Sequence, residues 1–340
     1  NASWTLYNGN KRLKTIQQEK LNNQMAELDV ATSENNIQES IAQVYIQILY
    51  AAESVKVNEN TLQVSIAQRD RGQELLNAGS IAKSDLAQLE AQVSTDRYQL
   101  VTAQATLQDY KLQLKQLLEL DGENEMNIYL PALSDENVLA PLPTKKDVYI
   151  SALSLRPEIE ASKLNVEASE LGIGIAKSSY LPTISLSAGI GTNHTSGSDF
   201  TFGEQVKNGW NNSIGLSVSV PIFNNRQTKS AVQKAKLQYE TSMLSLLDEQ
   251  KTLYKTIEGL WLDANSAQQR YAAANEKLKS TQISYELISE QFNLGMKNTI
   301  ELLTEKNNLL QAQQEQLQAK YMAILNTQLL KFYQGDQLAL

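Results

Sequence analysis

The sequence predicts a mainly α chain with a short β portion, in which long antiparallel coiled-coil helices come from a duplicated strand–helix–turn–helix unit. Three observations predict it. Long stretches lack Gly and Pro and carry apolar residues at spacings of three, four or seven. Short stretches alternate apolar and small polar residues with period two. An ungapped self-match relates the start of the chain to its second half. The bulk numbers agree: 340 residues, 41% hydrophobic, with a mean hydropathy of −0.37. That is lean for a chain long enough to build a thick core, and lean periodic chains pack as bundles or coiled coils.

The elements follow in order. ASWTLYN (2–8) sets Ala2, Trp4 and Leu6 against Ser3 and Thr5, a strand. After Asn8-Gly9 the period becomes helical, with Ile37, Ile41, Val44, Ile48, Val55, Leu62 and Ile66 on one stripe. No Pro precedes Pro131 and no Gly lies between Gly9 and Gly72, so one helix is predicted over 11–77. At 1.5 Å per residue it is roughly 100 Å long, far beyond an ordinary globular helix. LLNAGSIAKSDL stops it: Asn77 and Gly79 suit a helix C-terminus, and Ser80 is expected to cap the next helix, with Lys83 or Ser84 in place of the usual Glu. In that helix (81–120) Leu86, Val93, Leu100, Leu107 and Leu114 sit seven apart, with Leu89, Ala103, Tyr110 and Leu117 as a second seam. The short turn implies an antiparallel partner.

Periodicity fades over 121–144, where Pro131, Pro141 and Pro143 mark an irregular linker. A helix is expected over 145–179, restarted at Arg156-Pro157-Glu158, where Pro and Glu both suit a first turn. Two strands come next, 182–192 and 213–223, joined as a long-loop antiparallel hairpin. In the first, Ile184, Leu186, Ala188 and Ile190 oppose Thr183, Ser185, Ser187 and Gly189. In the second, Ile214, Leu216, Val218, Val220 and Ile222 oppose Ser213, Gly215, Ser217, Ser219 and Pro221. A second long helix (226–292), a turn at Asn293-Leu294-Gly295 and a last helix (297–334) close the chain.

The self-match pairs YNGNKRLKTIQQEKL (7–21) with FNNRQTKSAVQKAKL (223–237). The same offset pairs Ile41 with Ile257, Tyr45 with Trp261, Asn77 with Asn293, Gly79 with Gly295 and Leu86 with Leu302. Residues 1–120 therefore read as repeat 1, 121–144 as a linker and 145–340 as repeat 2. Repeat 2 carries an extra helix and strand at its start. Repeat 1 is expected to have had the same upstream, and the opening NASWTLYNG, without Met and already strand-like, reads as the start of a fragment.

One apolar face and one small polar face fit lipid on one side and water or tight packing on the other, as in transmembrane barrel strands. A soluble sheet against a helical bundle alternates in the same way. Trp4, Leu6, Ile184, Leu186, Ile190, Ile214, Leu216, Val218 and Val220 are the expected lipid-facing residues, and Tyr7, Tyr180 and Phe223 an aromatic belt at one end of the strands.

These features together resemble the TolC-like outer membrane efflux protein family. The resemblance rests on the duplicated unit, the turns LLNAGSIAKSDL and QFNLGMKNTIELL, and RPEIEASKLNVEAS…AKSSYLPTISLSAGIG. It implies a homotrimer whose protomers each give four strands to a twelve-stranded barrel in the bacterial outer membrane and long helices to an α-barrel in the periplasm. It implies a passive exit duct for efflux or type I secretion, completed by a periplasmic adaptor and an inner-membrane transporter, with outer membrane lipid around the barrel. Only three strands are present here, a departure from that pattern. In the family, acidic side chains ring the periplasmic entrance and basic–acidic links close it. Carried over by position, Glu301 is the ring acid, Lys297 the basic link residue, and Ser84 and Asp85 its partners. Thr304 stands at the second acid position, another departure. Gly79, Ser80, Gly295 and Met296 form the expected adaptor-contact turns. A plain surface pair of Lys297 with Glu301 is the simpler alternative.

Other chemistry finds little support. Net charge −8 and a pI near 5.0 argue against nucleic acid as the main partner. With no cysteine, disulfides and thiolate metal sites are excluded. The sole histidine, His194, falls in a loop and cannot build a His-based triad or multi-His site. No cofactor and no enzymatic activity are expected. The competing readings are a soluble coiled-coil scaffold and an envelope adaptor, which also has a helical hairpin.

Overall fold

A computed structural model describes residues 1–120, 128–129 and 138–338. Most of the expected linker, Pro131 included, lies outside the described residues. The chain runs β1 (Ala2–Asn8), α1 (Lys11–Asn77), α2 (Lys83–Leu117), α3 (Lys145–Leu155), α4 (Pro157–Ser178), β2 (Thr183–Gly191), α5 (Phe202–Asn208), β3 (Asn211–Ser219), α6 (Gln227–Asn293) and α7 (Thr299–Gln334).

Several boundaries differ from the sequence expectation, each for a local reason. The helix expected over 145–179 is two helices, because Arg156 takes an extended conformation ahead of Pro157, which clashes with helical geometry at the residue before it. The strand expected over 213–223 starts at Asn211 and ends at Ser219, because Ser219 pairs with Thr183, the first residue of β2. Beyond that row β2 offers nothing to pair with, and Pro221 has no N–H to give. Val220 and Phe223 therefore lie outside β3. Ser80 is not the cap of α2; Ala82 holds that position.

The duplication is visible in the backbone. α1 and α6 each have 67 residues and begin and end at matched positions of the repeat. Both are entered through two consecutive residues of left-handed backbone, Gly9-Asn10 (φ 67° and 64°) and Asn225-Arg226 (φ 49° and 61°). Gly is needed in the first copy: a Cβ at Gly9 would lie 2.7 Å from the Ser178 carbonyl oxygen and 2.9 Å from Leu181 Cβ.

The chain divides into two compact units, Asn1–Thr32 with Arg156–Thr252 and Ser33–Leu155 with Leu253–Leu340. The first holds the sheet, with α4 against the opening turns of α1. Small residues of α4 admit the neighbouring chain: Lys14 Nζ donates to the Gly174 carbonyl (3.3 Å) and Gln18 Nε2 to that of Ala168 (2.9 Å). Ser169 and Ser242 meet at 2.8 Å and join α4 to α6.

The second unit has its main core where Ile46 and Leu49 of α1, Tyr271 of α6, and Ala319, Tyr321, Ala323, Ile324, Leu325 and Leu329 of α7 pack together. Tyr50 meets Tyr321 edge to face, with ring centroids 6.4 Å apart. Trp261, the counterpart of Tyr45, is a packing residue: its indole donates to the Pro143 carbonyl (3.0 Å), and Lys145 lies over its ring. Along α2 the seam is buried at Leu86, Leu89, Val93 and Leu114 and half-buried at Leu100 and Leu107. Tyr98, between them, is 74% exposed.

Candidate functional site

Two places have the shape of functional surfaces: the sheet of the first unit and the helical turns of the second.

The sheet is antiparallel, in the order β1-β2-β3. Its register sorts the side chains by row. Ala2, Ala188 and Ile214 stand opposite one another, as do Trp4, Leu186 and Leu216. A shift between Thr5 and Tyr7 then brings Tyr7 into the row of Ile184 and Val218. Alternate rows are Ser3, Ser187 and Gly215, and Thr5, Ser185 and Ser217. One face is thus apolar and the other is hydroxyls and glycine. On the apolar face Ile214 is 84% exposed and Leu216 66%, while Ile184 and Leu186 of the central strand are half-buried. Leu6, expected in this set, is the extra residue of the bulge and has no partner row. Tyr7, Tyr180 and Phe223 are all exposed and flank the row of Asn8, Thr183 and Ser219, at one end of the sheet.

The turns of the two repeats are near copies. Gly79 and Gly295 both have φ 73°. Gly79 N–H bonds the Leu76 carbonyl and Ser80 N–H that of Leu75; Gly295 and Met296 repeat this with Phe292 and Gln291, all at 2.8–2.9 Å. This Schellman pattern needs left-handed backbone at the glycine. The helices that follow start alike. Asp85 reaches back to the Ala82 N–H (3.0 Å), and Glu301 to the Asn298 N–H (3.2 Å). Asn298 returns the bond, its side chain accepting from Glu301 N–H at 2.9 Å. Asp85 and Glu301, assigned different roles by the resemblance, occupy equivalent positions and both close a helix start.

The expected link from Lys297 to Asp85 is not formed among the described residues. Lys297 Nζ instead bonds Glu301 Oε1 at 2.5 Å, four residues on in the first turn of α7. Lys297 immediately precedes the N-cap Asn298, so its side chain lies beside the first turn of α7, and the local partner wins. The Lys297 bond, with the Asn298 N–H behind it, holds the Glu301 carboxyl below the usual carboxylate range. Ser84 is exposed. Thr304 bonds the Ile300 carbonyl of its own helix, and Glu305 accepts from Ser284 of α6 at 3.0 Å.

Behind the turns Leu75, Leu89, Phe292 and Leu302 form a small apolar core shared by both hairpins. Next to it lies a polar cluster that sequence reasoning missed. Lys306 of α7 donates to Asp96 of α2 and to Ser65 of α1, and Ser65 also donates to Asp96. Gln92 Nε2 satisfies the other Asp96 oxygen at 2.9 Å. Lys306 is 3% exposed, Asp96 1% and Ser65 2%. Burial pushes the Lys306 ammonium below its ordinary range, with Asp96 pulling it back. A signal was present in the sequence: Lys306 follows Leu302 by four, and Asp96 follows Leu89 by seven, so both charges sit in apolar seams. A nearby pair joins α1 to α6: Gln68 Nε2 donates to the Tyr285 hydroxyl at 2.9 Å.

His194 lies against the Phe202 ring and meets Gln205 Oε1 at 3.1 Å, which orders an exposed loop. Among the described residues no cluster of His, Cys, Asp and Glu is arranged to hold a metal ion. Nor is any described helix long and apolar enough to cross a membrane.

A two-faced antiparallel sheet and a duplicated pair of long helical hairpins are the features to compare with known proteins. The profile of the family described as "Outer membrane efflux protein" matches residues 148–335, and the chain belongs to that family. It is 24% identical over 294 residues to the outer membrane efflux protein BepC of Brucella suis biovar 1, covering 86% of this chain and 61% of BepC. Against the outer membrane protein TolC of Escherichia coli K12 it is 24% identical over 294 residues, covering 84% and 58%. The chain thus spans about three fifths of the length of these curated relatives. Its fold superposes on the CusC channel with a TM-score of 0.84, at 18% identity, over 98% of this chain and 76% of CusC.

Proposed function

We propose that this chain is the greater part of an outer membrane exit duct, a passive conduit for efflux or type I secretion with no catalytic role. The observation that carries the reading is the sheet. Its rows of Trp4, Leu186 and Leu216 and of Tyr7, Ile184 and Val218 present an apolar face on which Trp4, Tyr7, Leu216 and Val218 are exposed, and serine, threonine and glycine line the reverse. β2 and β3 have 9 residues each, close to the span of a tilted transmembrane strand. Hydrocarbon supplies no hydrogen bonds, so the open edges of β1 and β3 demand further strands. Copies of the chain in a homotrimer, closing one barrel, meet that demand. The long hairpins then extend into the periplasm, with their turns as the contact for a periplasmic adaptor and, through it, an inner-membrane transporter.

The test is Leu216→Asp in the full-length protein. A carboxylate on the lipid face opposes insertion, by somewhat less than the about 2–4 kcal/mol of a basic side chain at the bilayer midplane. The variant is expected to leave the outer membrane fraction, while Ser217→Asp, on the water face, inserts normally. Equal insertion of both variants, or a wild type soluble without detergent, overturns the reading in favour of a coiled-coil scaffold.

A further inference from the structure

We propose that Lys306, Asp96 and Ser65 form a buried latch that ties the first turns of α7 to the α1–α2 hairpin and holds the periplasmic entrance closed. The closing role rests on the duct reading above; the tie itself does not. Three observations carry it. First, the cluster connects three helices from both repeats through one ammonium, one carboxylate and one hydroxyl. Second, it is enclosed: Lys306 and Asp96 are 3% and 1% exposed, and both Asp96 oxygens have donors. Third, the two charges that the resemblance linked are spent locally, Lys297 on Glu301 and Asp85 on the Ala82 N–H, and the tie that Arg71 makes to the Asn293 carbonyl (3.1 Å) is exposed.

Burial decides how such a bond behaves. An exposed ion pair that parts is rehydrated at once, so it resists separation weakly. A buried pair that parts leaves each charge among apolar groups until water reaches it. Any motion that draws α7 away from α2 must separate Lys306 from Asp96 in this setting, beside Leu89 and Leu302. The cluster also exists only once per chain. Glu90 and Ala312 stand at the positions equivalent to Lys306 and Asp96, so the bond sets which hairpin faces join.

The test uses the full-length protein and three variants: Lys306→Met, Lys297→Ala, and the exchange of Lys306→Asp with Asp96→Lys. Amide hydrogen exchange in detergent reads the tie. Lys306→Met is expected to speed exchange about tenfold or more at Ser80 and at Met296, leaving the sheet amides unchanged. Lys297→Ala is expected to act near Met296 alone, and the exchanged pair to restore protection at Ser80. Planar-bilayer steps read the closure: larger in Lys306→Met and unchanged in Lys297→Ala. Unchanged exchange at Ser80 in Lys306→Met overturns the tie. Faster exchange with unchanged steps overturns the closing role. If Lys306→Met also loosens the sheet, the exchanged pair decides: wild-type protection supports the tie, and equal loosening refutes it. A wild type that gives no steps while Lys306→Met still loosens both turns refutes the duct and retains the tie.

Discussion

Gly72 lies on α1 against Leu89 of α2, and replacing it with alanine tests the packing behind the first turn. A Cβ there would stand 2.4 Å from Leu89 Cδ1, with Leu86 and Ile81 carbons at 3.7 and 3.8 Å. Leu89 is 1% exposed and has no room to turn aside. Two terms compete. Alanine gains about 1 kcal/mol over glycine in a helix interior. Overpacking of a filled site costs about 1–3 kcal/mol. The net expectation for Gly72→Ala is a loss of about 0–2 kcal/mol, against a gain of about 1 kcal/mol if the site were open. Leu89→Ala alone leaves a cavity and costs about 2–5 kcal/mol. In the Gly72→Ala background Leu89→Ala also removes the clashing methyl, and the new Cβ fills part of the space. The cost of Leu89→Ala then falls by about 1 kcal/mol or more, a coupling expected of residues in contact. Hydrogen exchange at Ala78, Gly79 and Ser80, whose N–H groups bond the Glu74, Leu76 and Leu75 carbonyls, reads this local stability. Slower exchange in Gly72→Ala, together with equal costs for Leu89→Ala in both backgrounds, refutes the packing argument.

Other expectations follow from single sites. Gly79→Ala and Gly295→Ala have no steric neighbour within 4 Å, so each loses only the left-handed backbone preference, about 1–2 kcal/mol, read as a lower melting temperature that asparagine partly restores. At the strand–helix junctions the repeats differ: Asn225→Gly is nearly silent in a thermal melt, whereas Gly9→Asn lowers the melting temperature because its Cβ meets the Ser178 carbonyl. Burial raises the Tyr321 phenol to about 12. The folded chain thus holds a proton that the unfolded chain loses near 10, and stability falls as pH rises through that interval; absorbance titration should show a phenol ionising near 12 that Tyr321→Phe removes. The Glu301 carboxyl is lowered, so its contribution is present above the unfolded value near 4.5 and is lost as pH falls through the folded one. Protection of the Met296 amide, relative to its intrinsic exchange rate at each pH, should fall on acidification in wild type and less so in Glu301→Gln.

Much of the fold was legible because local chemistry and tertiary structure agree. The offset that pairs Gly79 with Gly295 in sequence returns as one φ and one set of backbone bonds. Alternation predicted the faces of β2 and β3 row by row, since period two admits no other sorting while the strands stay paired. It did not predict where pairing stops: Val220 and Ile222 continue the pattern beyond the last partner in β2. Leu6 was misplaced because a bulge is a property of two strands together. α5 was missed although Thr201 and Glu204 form a capping box legible in the sequence. The site was less legible than the fold. Lys297 had candidate partners on two helices, and spacing alone does not choose between them. The Lys306 cluster needed three helices brought together, and only the intrusion of charge into two apolar seams marked it.

The central claim is that the sheet sits in lipid and the chain encloses a water path. Conductance of the full-length wild-type protein in planar bilayers tests it most directly. The account predicts discrete, cation-selective steps, since the proposed duct would set the Glu301 carboxylates of its copies around the entrance. Bilayers that stay silent, with a protein that needs no detergent to remain in solution, contradict it.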